Sequence, residues 1–82
     1  MKVAVDISLY PLDADFVPPI KDVIARLNDH ERLEVWTNAM STQVVGEFDD
    51  VMDALRREIG ATFRQVPKAV FAIKILNNPI FG

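Results

Sequence analysis

Eight polar or aromatic side chains lie in or beside segments with the pattern of β-strands, and these residues are the best able to contact a ligand. They comprise a carboxylate, two carboxamides, hydroxyls, a phenol and an indole, which together offer hydrogen-bond donors and acceptors. The aromatic rings could also hold a cation, an interaction worth about 0.5–2 kcal/mol. The candidate ligand-binding residues are Asp6, Ser8, Tyr10, Trp36, Asn38, Ser41, Thr42 and Gln43.

Catalytic chemistry has little support in the sequence. The chain has no cysteine and one histidine, His30, at the predicted end of a helix, where a cation interacts favourably with the helix dipole. We interpret His30 as a surface residue. Asp13 and Asp15 lack the additional oxygen ligands of a calcium loop. We therefore expect no enzymatic activity, no metal site and no catalytic cofactor.

Composition narrows the class of protein further. A chain of 82 residues, half of them apolar, is expected to fold as one domain spanning residues 1–82, because disordered chains are poor in apolar residues. The formal net charge of −3 argues against nucleic acid as a partner. No signal-peptide pattern begins the chain and no apolar run approaches the roughly 18 residues of a membrane span. We expect a cytoplasmic protein without membrane insertion.

Two hydrophobic periods alternate along the chain. A period of two predicts four strands, over residues 2–10, 33–39, 41–47 and 69–76. A period near 3.6 predicts two helices. The first begins at Pro18-Pro19, where missing N–H groups cost nothing; the second follows Asp49 as N-cap and has Val51, Met52, Leu55 and Ile59 as its apolar stripe. The tail, residues 77–82, ends with Pro79, Ile80 and Phe81 predicted to be exposed.

The order βαββαβ predicts an α+β ferredoxin-like sandwich. Its four-stranded antiparallel sheet has the strand order 4-1-3-2 and carries both helices on one face. The strongly apolar face of the first strand must be the covered one, with Val3, Val5, Ile7 and Leu9 inside. Gly46, near the end of the third strand, predicts a bulge or a close approach of backbone.

The opposite face of the sheet has a polar centre with apolar and aromatic flanks. Tyr10, Trp36, Val45, Val70 and Leu76 would form an exposed apolar patch there, which is uncommon on monomers. We expect two copies to pack sheet to sheet or edge to edge, as a homodimer or homotetramer, with a ligand pocket at or beside that contact. An alternative is that Ser8 and Gln43 are merely solvated, and that Tyr10 and Trp36 only pack in the interface.

Asp6 lies in the middle of a central strand, so its carboxylate needs a cation or hydrogen-bond donors if it is covered. Lys74 on the adjacent strand is the structural candidate, and a cationic ligand is the functional one. We expect Asp6→Asn to weaken a cationic ligand more than a neutral one.

Three strings resemble the thiamine-binding protein family, whose members bind thiamine or its hydroxymethylpyrimidine moiety. They are SLYPL at residues 8–12, TNAMST at 37–42 and GEFDDVM at 46–52. The resemblance implies a ferredoxin-like, non-enzymatic binding domain that forms dimers or tetramers, with thiamine or hydroxymethylpyrimidine as its ligand. Tandem-repeat members often carry Asp where this chain has Asn38, which leaves both charged thiamine and the neutral pyrimidine open. The alternative function is a regulatory or structural module that senses another small ligand, such as an amino acid.

Overall fold

The computed structural model describes residues 1–80, and its elements follow the predicted βαββαβ order. The elements are β1 (Lys2–Pro11), α1 (Val17–Asn28), β2 (Glu34–Thr37), β3 (Thr42–Glu47), α2 (Phe48–Gln65) and β4 (Ala69–Asn77). The strands form one antiparallel sheet in the order β2-β3-β1-β4. This is the predicted 4-1-3-2 order, and the ferredoxin-like fold is therefore confirmed.

The core lies between the sheet and the two helices. Alternate residues of β1, namely Val3, Val5, Ile7 and Leu9, are buried as predicted. They pack with Val23 and Leu27 of α1 and with Val44, Val51 and Leu55. Full burial of one such side chain contributes about 1.5–3 kcal/mol, so this cluster holds both helices on the same face of the sheet.

The start of α2 corrects one prediction. Asp49 is not the N-cap, because the helix begins one residue earlier, at Phe48, after Glu47 in extended conformation. Asp49 and Asp50 instead lie in the first turn, where carboxylates interact favourably with the helix dipole. Met52 is exposed, so it does not belong to the buried stripe, which runs through Val51, Ala54 and Leu55.

Gly46 marks a close approach, as predicted. A Cβ atom at this position would lie 2.7 Å from Leu33 Cδ2 and 3.4 Å from the Arg32 carbonyl oxygen and from Val51 Cγ2. The absent side chain thus lets the segment before β2 and the start of α2 close over the end of β3.

A charged cluster joins the two helices. Arg26 Nη1 donates to Glu58 Oε1 at 2.6 Å, and Arg26 Nη2 donates to Thr62 Oγ1 at 2.7 Å. His30 Nε2 lies 2.6 Å from Glu58 Oε2. The interpretation of His30 as a surface residue is therefore wrong, because its side chain is only 21% exposed and is held between α1 and α2.

Glu58 is the centre of this cluster, with its side chain 8% exposed. Burial alone would raise the pKa of its carboxyl group, but hydrogen bonds from His30 and Arg26 and their positive charge outweigh burial and hold the pKa below its ordinary value. Glu58 is therefore a carboxylate at neutral pH, and both of its oxygens have partners.

The two edges of the sheet differ. The β2 edge is four residues long, whereas the β4 edge is nine. On the helix side of β4, Ile73 and Ile75 remain 36% and 48% exposed, because the helices do not extend over this edge. Asn77, predicted to begin the tail, belongs to β4. Ile80 is exposed as predicted, Pro79 is half-buried, and Phe81 lies outside the described residues. Neither helix within residues 1–80 is long and apolar enough to cross a membrane.

Candidate functional site

A cavity of about 500 Å³ opens at the end of the sheet where β1 finishes. Three segments surround it: the end of β1 with the residues that follow (7–12), the inner side of α1, and the turn between β2 and β3 (37–42). Phe71 of β4 contributes to the wall. The cavity therefore lies where two of the strings noted in the sequence, SLYPL and TNAMST, meet α1.

The apolar wall comes largely from α1. Ile20, Val23, Ile24 and Leu27 follow one another at helical spacing and all line the cavity. Val23 and Leu27 are buried, but Ile20 and Ile24 are only half-buried, and both of these side chains border the open cavity. The helix thus supplies a wall for a flat apolar ligand.

Asn38 shapes the turn between β2 and β3. Its Oδ1 accepts hydrogen bonds from the backbone N–H groups of Met40 at 2.8 Å and Ser41 at 3.0 Å, while its own N–H donates to the Ser41 carbonyl at 3.0 Å. Such side-chain bonds fix an Asx-type turn. The carbonyl end of the side chain is occupied by the backbone, so its Nδ2 donors are the part available to a ligand.

Hydroxyl groups complete the polar part of the lining. Thr37 and Thr42 face each other across the β2–β3 pair, with their Oγ1 atoms 3.0 Å apart. Ser8, Tyr10 and Ser41 contribute further hydroxyls to the lining. Hydroxyls both donate and accept, so this rim matches a ligand edge that carries donors and acceptors side by side.

Charge is absent from the lining formed by the described residues: none of them is Asp, Glu, Lys, Arg or His. An ionised group moved from water into such a cavity would lose hydration without gaining a partner of opposite charge. The loop before α1, which contributes Leu12 and Phe16 to the lining, also carries Asp13 and Asp15, and the Asp15 N–H donates to Asp13 Oδ1. The cavity therefore favours a neutral group inside, and its flanking loop is acidic.

The structure separates the eight predicted site residues into two groups. Five line the cavity: Ser8, Tyr10, Asn38, Ser41 and Thr42. The other three, Asp6, Trp36 and Gln43, lie in one row across the face of the sheet opposite the helices, where Trp36 pairs with Gln43, Gln43 with Asp6, and Asp6 with Lys74. Within residues 1–80, no ion pair within 4.0 Å joins Asp6 to Lys74.

Several cavity residues were not predicted from the sequence. Ile20 and Ile24 belong to an apolar helical stripe, which by itself indicates only core packing. Leu12, Phe16 and Met40 are 61%, 52% and 86% exposed, and all three line the cavity. Large apolar residues in predicted loops were the available signal, because a loop without a ligand or partner is usually polar.

A family model described as thiamine-binding protein matches residues 5–79 of the chain. The chain belongs to this family. The matched range includes every cavity-lining segment and both helices, so the thiamine-binding domain covers nearly the whole chain. No curated protein sequence matches significantly.

Solved structures with the same fold include proteins from three different organisms. A hypothetical protein from Methanocaldococcus jannascii has a TM-score of 0.82 and 26% identity, covering 99% of this chain and 84% of that one. A Streptococcus pneumoniae protein has a TM-score of 0.78 and 19% identity, covering 98% and 90%. A Thermotoga maritima protein, provisionally assigned to thiamine biosynthesis or salvage, has a TM-score of 0.70 and 23% identity, covering 92% and 82%.

Proposed function

We propose that this thiamine-binding domain holds the aminopyrimidine ring of thiamine, or free hydroxymethylpyrimidine, in the cavity between α1 and the turn at 37–42. The observation that supports this proposal most strongly is a cavity of about 500 Å³. Its lining combines an apolar wall with hydroxyls and one carboxamide and contains no charged residue. That volume lies within the usual range for small-molecule sites, roughly 300–1,000 Å³. The domain acts as a binder in transport, storage or sensing, and performs no chemical conversion.

The chemistry of an aminopyrimidine fits this lining. Its flat ring packs against Ile20 and Ile24 of α1, while its edge meets the hydroxyls of Ser8, Ser41 and Thr42. The exocyclic amino group donates to a hydroxyl oxygen, and a ring nitrogen accepts from Asn38 Nδ2. Each such bond contributes about 0.5–1.5 kcal/mol net, and a ligand that lacks the amino group leaves a polar partner unpaired.

The thiazolium of thiamine is a permanent cation, and the uncharged cavity offers it no counter-charge. We propose that it stays at the mouth, near Tyr10 and the acidic loop with Asp13 and Asp15, where solvent and the phenol ring accommodate it. The free pyrimidine would fit wholly inside. The ligand is cargo or signal, not a catalytic cofactor, and the cytoplasm is the proposed location.

We also propose that the domain assembles as a homodimer or homotetramer. The sheet face opposite the helices exposes about half of each of Tyr10, Trp36, Val70 and Leu76. The prediction that Val45 is exposed there is wrong, because Val45 is only 4% exposed. Tyr10 pairs with Val70, so these two side chains form one exposed apolar patch at one end of this face, and such patches mark interaction sites. Light scattering after size-exclusion chromatography tests this proposal, since a particle of 9.2 kDa would contradict it.

An amino-acid sensor is the competing function, and the lining argues against it. A free amino acid carries an ammonium and a carboxylate, and a specific site would supply ionised or multiple hydrogen-bonding partners for both. The cavity supplies no ionised group for either. We therefore propose the pyrimidine, and not an amino acid, as the ligand.

A thermal-unfolding screen tests the proposed ligand. Hydroxymethylpyrimidine, thiamine, thiamine diphosphate and a set of amino acids are added separately to the intact protein. A ligand at about a hundred times its dissociation constant should add about 2.7 kcal/mol to the free energy of unfolding. Stabilisation by the two unphosphorylated compounds is expected; stabilisation by amino acids alone, or by none of the compounds, contradicts the proposal.

A further inference from the structure

The hydroxyl groups in the cavity lining have no fixed hydrogen-bonding polarity. They belong to Ser8, Tyr10, Thr37, Ser41 and Thr42, and a hydroxyl can rotate either to donate a hydrogen bond or to accept one. The Oγ1 atoms of Thr37 and Thr42 lie 3.0 Å apart, and either of them can be the donor in the bond between them. These groups therefore suit a ligand that presents a donor as well as one that presents an acceptor.

Asn38 differs from the hydroxyls because its amide is held in one orientation. Its Oδ1 accepts from the backbone N–H groups of Met40 at 2.8 Å and Ser41 at 3.0 Å. If the amide rotated by half a turn, Nδ2 would face those two N–H groups, and both bonds would be lost because donors would oppose donors. Nδ2 therefore stays on the other side of the amide, where it can donate but cannot accept.

This fixed donor lies beside the reversible hydroxyls. Asn38 directly follows Thr37 in the sequence, and Thr37 pairs with Thr42 at the base of the turn. All three residues line the cavity, and Thr42 is only 5% exposed. A flat heterocycle whose edge meets this turn thus contacts one group that can only donate, next to groups that can do either.

An aminopyrimidine and its oxo analogue, in which oxygen replaces the exocyclic amino group, differ in polarity but hardly in shape, and neither carries a net charge. In the aminopyrimidine, the exocyclic group donates and the ring nitrogen beside it accepts. In the stable tautomer of the oxo analogue, the exocyclic oxygen accepts and that ring nitrogen carries a hydrogen. A hydroxyl can bond to either exocyclic group, whereas Asn38 Nδ2 can bond only to the ring nitrogen that carries no hydrogen.

We propose that Asn38 determines the specificity of the site, because its fixed amide selects aminopyrimidines and rejects their oxo analogues. This inference rests on the proposed function, since it takes the cavity as the pyrimidine site. The oxo analogue would place its ring N–H against the Nδ2 donor, and a polar group left without a partner in a site costs affinity. The apolar wall and the absence of charge, by contrast, do not distinguish the two compounds.

Titration calorimetry on the intact protein tests this selection without any substitution. Hydroxymethylpyrimidine and its oxo analogue are compared in mildly alkaline buffer, where the aminopyrimidine ring carries no added proton. The oxo analogue should bind more than about tenfold more weakly, because one hydrogen bond is replaced by two opposed donors. Equal affinities overturn the role of Asn38 and leave the proposed function standing, whereas binding of neither compound overturns both.

Asn38→Asp reverses the polarity of the group while keeping the turn. One carboxylate oxygen can accept the same two backbone bonds, and the other takes the place of Nδ2 and can only accept. The preference should shift toward the oxo analogue, whose ring N–H can donate to that oxygen, while circular dichroism shows an intact fold.

Asn77→Asp is the matched control, because it adds the same charge at an exposed position, at the other end of β4 from Phe71. It should leave the ratio of the two affinities unchanged. The role of Asn38 is overturned if Asn38→Asp keeps the wild-type ratio, or if Asn77→Asp shifts the ratio equally.

Thr42→Val tests the contribution of the hydroxyls, because valine has nearly the shape of threonine but no hydrogen-bonding group. The affinities for both compounds should fall by a similar factor, so that their ratio stays at the wild-type value. A ratio that disappears in Thr42→Val but persists in Asn38→Asp would assign the specificity to the hydroxyl pair and overturn the proposal.

Discussion

Two polar regions lie against the same helix, α1, and they have opposite characters. On the side facing α2, Arg26 and His30 meet Glu58 in a compact group of charges whose donors and acceptors satisfy one another. On the side facing the end of the sheet, α1 borders a cavity that has hydroxyls and a carboxamide in its lining but no charge. The first region is closed on itself, whereas the second presents its polar groups to an open space.

The contrast indicates that the charged cluster stabilises the fold, whereas the cavity is the region suited to bind a ligand. Charges that are paired and partly buried hold two helices together, and the loss of one partner leaves the other uncompensated. Hydroxyls and a single amide Nδ2 around an uncharged cavity can orient a ligand and discriminate between ligands. Variants in the two regions should therefore affect different measurements.

The largest effect is expected at Glu58. Glu58→Leu removes the carboxylate that accepts from Arg26 and contacts His30. Arg26 keeps its ion pair with Asp22, 3.1 Å away, but His30 loses its carboxylate partner in a partly buried site. Breaking a buried pair in this way typically costs about 3–5 kcal/mol, and a loss near 3 kcal/mol is expected in urea unfolding. The affinity of any protein that remains folded for hydroxymethylpyrimidine should not change.

Glu47→Leu is the matched control for that change. Glu47 also forms an ion pair, 3.1 Å from the N-terminal ammonium, but its side chain is 60% exposed. Exposed pairs contribute about 0–1 kcal/mol. Equal losses for the two variants would contradict the structural role assigned to the charged cluster.

Binding should respond most strongly to Asn38. Asn38→Ala removes the acceptor of two backbone hydrogen bonds in the turn and the proposed donor to the pyrimidine ring, so the affinity measured by calorimetry should fall more than tenfold, about 1.4 kcal/mol. Asn28→Ala is the control, because Asn28 is also exposed and also bonds to local backbone, at the Ile24 carbonyl. Affinity that Asn38→Ala leaves unchanged would remove the turn from the site.

A smaller effect concerns acid stability. Because the pKa of Glu58 is lower in the folded chain than its ordinary value of 4.5, the unfolded chain binds more protons in acid. The stabilisation from Glu58 is therefore complete above about pH 4.5 and is lost as the pH falls through the folded-state value. The melting temperature of the wild type should fall more steeply between pH 5 and pH 3 than that of Glu58→Gln; parallel curves would contradict this.

The smallest effect is expected at Asp6. The sequence predicted that Asp6 would contact a cationic ligand. The structure instead places Asp6 in the row with Gln43 and Lys74 on the bare face, outside the cavity lining. If the cavity is the site, Asp6→Asn should change the affinities for thiamine and for hydroxymethylpyrimidine by less than twofold. A loss of affinity for thiamine alone would indicate instead that the ligand contacts Asp6 and binds on the bare face of the sheet.

The fold could be predicted because β1 is apolar on one face only, so its strict alternation fixes which side the helices cover. The position of the cavity could not. The stripe from Ile20 to Leu27 identifies the inner face of α1, but periodicity does not show which residues of that face pack in the core and which, like Ile20 and Ile24, border an open cavity. Similarly, Arg26 and Glu58 are polar interruptions on facing helices, and only their juxtaposition in space makes them a cluster.

The central claim is that the pyrimidine occupies the cavity bounded by α1 and residues 37–42, and the most direct test is a map of backbone amide chemical shifts during titration with hydroxymethylpyrimidine. We expect saturable shifts in residues 8–12 and 38–42 and along the inner side of α1. The indole N–H of Trp36, the only tryptophan, reports on the bare face and should remain unchanged. Shifts centred on Asp6, Trp36 and Gln43 with none in the turn at 37–42 would contradict the account.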